Sequence, residues 1–252
     1  MPPDTLVILT GASRGLGQAM AARYLGDGAF VLGLSRQQSA TLAAAGGARI
    51  EQWPADLAQP MPVVERLAAW LAAYERRGPV PKRVRLIHNA ASISEPGDVG
   101  EVDAGAEAQR LRIGLEAPVA LTAVFLRATG HWATSDRRVL FVSSGLGRRP
   151  LAGSAAYCAQ KAGLDHFARA LALEEGARAN GARVAAVAPG IVDTDMQRQL
   201  RGADPAKFAQ QPMFNEWHAS GALDSPAGAA AKVIALLERA DYGANPVTDV
   251  RA

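Results

Sequence analysis

The chain has 252 residues, 49% of them apolar and 20% charged, with a formal net charge of +3. That length and apolar fraction suit one α/β domain over 1–252 with a sizeable core, and they exclude global disorder. The basic residues fall in scattered pairs such as Arg76-Arg77, Arg137-Arg138 and Arg148-Arg149, without the basic stripe and interleaved aromatics of a nucleic-acid binder.

The opening segment MPPDTLVILT lacks a basic leader and runs straight into a glycine motif, so it reads as a first strand. No stretch of eighteen apolar residues offers a membrane span, and a cytoplasmic protein acting on small molecules is expected. The lone Cys158 has no cysteine partner. His88, His131, His166 and His218 lack ligand spacing, so no metal site is expected.

Apolar strands are predicted at 6–9, 30–34, 49–53, 84–88, 138–142, 183–188 and 246–250. Helical patterns lie between them at 15–26, 60–77, 105–130, 155–179 and 226–240. Strands that are apolar throughout belong to a parallel sheet covered on both faces. The alternation predicts a doubly wound, Rossmann-type sheet of about seven strands. The segment 193–225 breaks the rhythm and reads as an insertion forming a substrate lid.

After the first strand comes Thr10-Gly11-Ala12-Ser13-Arg14-Gly15-Leu16-Gly17, then a helix. Glycines at 11, 15 and 17 permit a tight turn and a close approach of backbone to a pyrophosphate, which the helix N-terminus then attracts. The spacing Gly-x3-Gly-x-Gly resembles the short-chain dehydrogenase/reductase pattern. The second strand ends Ser35-Arg36 with no acid, and Arg14 lies in the glycine loop. Two arginines suit a 2′-phosphate, so NADP(H) is favoured over NAD(H). Asp56-Leu57 resembles the family's adenine-contacting pair.

Tyr157 and Lys161 stand four apart on one predicted helix face, and Ser144 precedes the tyrosine by the family's thirteen residues. Ketone reduction needs a hydride and a proton for the developing alkoxide. A cation about 5 Å from the phenol at a dielectric near 20 is worth roughly 3 kcal/mol, which would lower a tyrosine pKa by about two units. Ser144 would hold the substrate oxygen. The resemblance gives Lys161 a second task, binding the nicotinamide ribose.

Asn89-Ala90 carries the family's fourth-strand motif, with Ala91 in place of glycine and His88 as a packing residue. The Pro189-Gly190 loop would close over the nicotinamide, with Ile191, Val192 and Thr194 near its carboxamide. Gly114 occupies the position where the family usually carries an asparagine that helps hold a relay water, and a water is expected in the vacated space.

Asp193-Thr194-Asp195-Met196-Gln197, together with Tyr157–Lys161 and Leu171-Ala172-Leu173-Glu174-Glu175, resembles the sepiapterin and benzil reductase branch. Met196, Phe208, Met213, Phe214 and Trp217 are candidates for an apolar lid over the substrate or for packing of the lid itself. Asp249 is a candidate pterin anchor. The expected activity is NADPH-dependent reduction of a ketone or α-dicarbonyl. A 3-oxoacyl-thioester reductase, an alcohol dehydrogenase and a catalytically silent NADP(H) sensor stay open as alternatives. The resemblance also implies a homodimer or homotetramer built through the helices at 105–130 and 155–179.

Overall fold

Runs such as Thr5-Leu6-Val7-Ile8-Leu9-Thr10 are buried on both faces, and such strands are stable only as the middle of a covered sheet. A computed structural model describes residues 3–44 and 46–251. Seven strands, β1 (Thr5–Thr10), β2 (Phe30–Ser35), β3 (Arg49–Pro54), β4 (Arg83–His88), β5 (Asp136–Val142), β6 (Arg183–Ala188) and β7 (Val247–Asp249), form one sheet ordered β3-β2-β1-β4-β5-β6-β7. Every pairing is parallel.

Helices cover both faces. On one side α1 (Gly15–Gly26) and α8 (Pro226–Leu237) bury Leu16, Met20, Ala229 and Val233 against the sheet. On the other, α2 (Pro60–Glu75), α4 (Ala117–Thr129) and α5 (Ala155–Gly176) bury Leu67, Leu71, Leu121, Phe125, Leu164 and Ala168. The mixed α/β architecture matches the doubly wound expectation, and the strands lie within two residues of their predicted limits.

One predicted helix is not continuous. The pattern at 105–130 divides into α3 (Ala104–Leu111), a π-turn at Arg112–Glu116, and α4. Pro118 has no N–H to offer the Gly114 carbonyl, as an α-helix would require. The chain widens there, and the Ala117 N–H reaches back to the Arg112 carbonyl.

Between β6 and α8 the chain leaves the sheet and forms two short helices, α6 (Asp195–Arg201) and α7 (Gln211–Ala219). Their base is pinned by backbone bonds from Asp193 N–H to the Asp224 carbonyl (2.9 Å) and from Asp224 N–H to the Ile191 carbonyl (2.8 Å). Leu200, Phe208 and Phe214 give this excursion a small core of its own.

At the strands' N-terminal ends, fully buried Arg85 donates to both Glu238 oxygens (2.8 and 2.7 Å) and to Asp136 (2.9 Å). A guanidinium out of water needs such pairing. This network ties β4 and β5 to the end of α8, far from the crevice considered next.

Candidate active site

The strand order reverses between β1 and β4, and the crevice at their C-terminal ends is where doubly wound sheets bind ligands. Gly11 (φ 71°) and Gly15 (φ 56°) adopt left-handed backbone in the intervening loop. At Gly17 a Cβ would stand 2.1 Å from the Gly11 carbonyl oxygen and 2.4 Å from Asn89 Nδ2, so no side chain fits. Asn89 Nδ2 donates to the Thr10 and Gly11 carbonyls (3.2 and 3.1 Å), and the Asn89 and Ala90 amides donate to Thr10 Oγ1 (3.0 and 3.1 Å). The fourth strand thus fixes the glycine loop from beneath. Arg14 precedes α1 in extended backbone, and no side chain caps the helix, which leaves its first N–H groups for a ligand. Ser13 borders this opening, while Leu16 is buried under it.

Ser35 ends β2 and Arg36 is exposed beside it. Arg14 already has a carboxylate partner. Its guanidinium pairs with Asp195 at 2.6 Å, which bridges the glycine loop to α6, and Arg198 pairs with the same carboxylate. The cause is local: Thr194 lies over the loop, its Cγ2 3.5 Å from where a Cβ on Gly15 would be, so the start of α6 faces Arg14. Asp56 accepts the Ala58 N–H at 3.0 Å, and Leu57 is buried.

Ser144 ends the segment after β5 and caps a short 3₁₀ turn (Gly145–Gly147), its Oγ accepting the Leu146 N–H at 3.2 Å. Tyr157 and Lys161 occupy successive turns of α5. The Lys161 stem passes the tyrosine, with Nζ 5.6 Å from its ring centroid, and Nζ donates to the Val142 carbonyl at 2.8 Å. Serine, tyrosine and lysine are therefore brought to one place, and the amine points inward.

The charge balance differs from expectation. Burial pushes the Tyr157 phenol up to about 12, outweighing the hydrogen bond from Ser144 that acts the other way. Burial also pulls Lys161 down to about 8, against the field of Asp165. In the protein alone burial, rather than the lysine, sets the direction of the phenol's shift. Asp165 is itself raised by burial and bonds Ser143. His88 is held neutral by burial, down to about 3, stacked on Phe141 and bonded to Thr122. It is a packing residue, as expected.

After β6, Pro189 leads into Gly190 (φ 82°), and Ile191, Val192 and Thr194 follow along the pinned base of the excursion. Phe208 and Phe214 are buried inside the excursion, while Met196, Met213 and Trp217 pack around them with part of their surface open. Two of the five lid candidates thus hold the lid together. Asp249 lies at the end of β7, but Arg251 takes both its oxygens at 2.7 Å, so the proposed anchor is already paired.

The space expected beside Gly114 is not left for a water. The Gln160 side chain fills it, with Oε1 1.8 Å from the position of a Cβ on Gly114.

A family model for short chain dehydrogenases matches residues 5–205. The chain belongs to the short-chain dehydrogenase family. It is 30% identical over 242 residues to a benzil reductase, (S)-benzoin forming, of Bacillus cereus, covering 94% of this chain and 95% of the relative. It is 33% identical over 219 residues to a sepiapterin reductase of Xenopus tropicalis, covering 80% of each. A solved structure from Beutenbergia cavernae, described as an NAD(P)-dependent gluconate 5-dehydrogenase with bound NADP, superposes with a TM-score of 0.79. It shares 27% identity and is matched over 98% of this chain and 94% of that one.

This short-chain dehydrogenase is accordingly an oxidoreductase. Several residues that shape its crevice were not singled out from the sequence. Asp165 stands four after Lys161, a spacing that could have flagged it. Gln160 and Asp195 meet their partners only through tertiary structure, and no local pattern announces either contact.

Proposed function

We propose that this short-chain dehydrogenase is an NADPH-dependent carbonyl reductase that converts a ketone or α-dicarbonyl to a secondary alcohol. The observation that carries the reading is Tyr157 beside the buried amine of Lys161, 5.6 Å from its ring centroid, in the crevice where the glycine loop opens. The cradle fits a dinucleotide: Gly17 tolerates no Cβ, and the uncapped start of α1 faces the loop. The residues that would hold it are Gly11, Ser13, Gly15 and Leu16 at the pyrophosphate, and Asp56, Leu57 and Ala90 toward the adenine. Ile191, Val192 and Thr194 would flank the nicotinamide. Ser35 and Arg36 border the 2′-phosphate position, where Arg14 can join them on leaving Asp195.

The bound dinucleotide supplies the hydride. The chain's own residues supply the rest. Ser144 donates to the substrate oxygen and fixes its distance from Tyr157. Burial favours the protonated phenol in the protein alone, the form that can give its proton to an alkoxide. Lys161, near 8, is mostly charged at neutral pH and stabilises the phenolate left behind. Met196, Met213 and Trp217 offer the open apolar surface that a flat, aryl-bearing substrate would cover. The similarity to a benzil reductase supports that substrate class.

The test of the reading is oxidation of NADPH followed by absorbance with benzil-like diketones, sepiapterin and acetoacetyl thioesters. Diketone reduction that vanishes in Tyr157→Phe, with NADPH still bound, is expected. Tight NADPH binding with no reduction of any carbonyl would refute it.

A further inference from the structure

A serine that holds a substrate oxygen must itself be held, yet Ser144 lies just past the sheet. The last ladder bond at the end of β5 runs from the Ser143 N–H to the Val187 carbonyl (2.9 Å). The chain then enters the 3₁₀ turn Gly145–Gly147 at once, beyond the reach of strand pairing. Side chains of α5 take over the task. Lys161 donates to the Val142 carbonyl, and Asp165, one turn further along the helix, accepts the Ser143 hydroxyl through Oδ1.

Asp165 is 1% exposed, and a carboxylate taken out of water is costly unless its oxygens are served. Its other oxygen, Oδ2, faces the turn that follows Ser144. A Cβ on Gly147 would stand 2.8 Å from Oδ2 and 3.0 Å from the Lys161 carbonyl, so the absence of a side chain lets the turn settle on this helix. Oδ2 accepts no hydrogen bond among the described residues, and the Arg148 Nε stands 3.7 Å from it. The same guanidinium lies 3.5 Å from the Ser144 carbonyl and 3.4 Å from the Thr248 carbonyl on β7. One carboxylate thus meets the chain on both sides of Ser144, at 143 and at 147–148.

We propose that Asp165 is a positioning residue: its buried carboxylate clamps the segment 143–148 onto α5 and so fixes the Ser144 hydroxyl where it holds the substrate oxygen. The kinetic part of this inference rests on the carbonyl-reductase reading. Enclosed as it is, Asp165 acts on the reaction only through Ser143 and the turn. A misplacement of about 1 Å in a group that orients substrate costs on the order of a hundredfold in rate, so a clamp of this kind has a measurable effect.

The experiment places Asp165→Leu and Asp165→Asn on the parent and on Ser144→Ala. It reads kcat for benzil with NADPH, the Kd for NADPH, and hydrogen exchange of the Leu146 amide, which donates to Ser144 Oγ. On the parent, Asp165→Leu should lower kcat about tenfold and leave the Kd within about twofold. Leu146 exchange should rise about tenfold while the β1 amides keep their rates. Asp165→Asn still accepts from Ser143 and should recover most of the loss. On Ser144→Ala, Asp165→Leu should change the residual kcat by less than about twofold, because the group it positions is gone. Parental kcat in Asp165→Leu, an equal loss with and without the Ser144 hydroxyl, or exchange that rises uniformly over the sheet would overturn the proposal. Should Asp165→Leu fail to fold, Ser143→Ala deletes the same bond from its other end and is read in the same way. A parent that reduces no carbonyl brings down the reductase reading, and Leu146 exchange then decides the clamp alone: faster locally, it stands; unchanged, it falls.

Discussion

Replacing Lys161 by methionine should make the protein more stable while abolishing its activity. Lys161 is 2% exposed, and burial draws its pKa from the ordinary 10.5 to about 8. Each pKa unit corresponds to about 1.4 kcal/mol, so holding the ammonium inside costs about 3 kcal/mol at pH 7. Methionine removes that cost but forfeits the hydrogen bond to the Val142 carbonyl, about 1 kcal/mol or somewhat more. The net gain is roughly 1–2 kcal/mol, or about 3–6 °C in Tm for a chain of this size. Between pH 8 and 10.5 the unfolded chain binds more protons at this position than the folded one, so the parent's stability rises with pH there. The advantage of Lys161→Met must shrink over the same window. Above pH 10 the sign reverses for Tyr157, whose phenol ionises in the unfolded state but is held near 12 when folded, so stability contributed by that group falls. Urea melts of both proteins at intervals from pH 6 to pH 10 provide the assay. A Lys161→Met protein that is less stable at pH 7, or an advantage that does not narrow toward pH 10, would refute the reasoning.

Gly17→Ala should weaken dinucleotide binding by more than about tenfold in a fluorescence titration, because its Cβ collides with the Gly11 carbonyl and Asn89 rather than with a flexible side-chain tip. Arg36→Ala should raise the Kd for NADPH by about tenfold and leave that for NADH nearly unchanged, as expected of a charge that meets only the 2′-phosphate. Asp195→Asn releases Arg14 from its exposed ion pair. NADPH should then bind about threefold more tightly with NADH unaffected, and equal tightening of both would show that Arg14 does not reach the 2′-phosphate. Tyr157→Phe should lower kcat by at least about a hundredfold while leaving the Kd for NADPH within about twofold, measured by stopped-flow reduction and by titration.

The strands and the glycine loop were legible because each is a local pattern: continuous apolar runs, and three glycines where a strand meets a helix. Ser144, Tyr157 and Lys161 were legible for the same reason, since strand end and helix face fix their spacing. The break in the helix at 105–130 had a visible cause in Pro118, but proline is tolerated near a helix start and the apolar pattern continues across it. The pairing of Arg14 with Asp195 spans 181 residues, and no local pattern distinguishes this partner from a phosphate. The phenol was misjudged for another reason. Sequence supplies the distance to a cation but not the water lost by both groups, and at Tyr157 that loss is the larger effect.

The excursion between β6 and α8 closes on itself through the paired backbone at Asp193 and Asp224, and Leu200, Phe208 and Phe214 fill its interior. Its outer residues can therefore vary without disturbing the strands that carry the chemistry. Substrate range in this scaffold should respond to exchange of residues 196–223 as one piece, provided that Gln199 keeps its bond to the Ser94 carbonyl and Phe208 its place against Gly153.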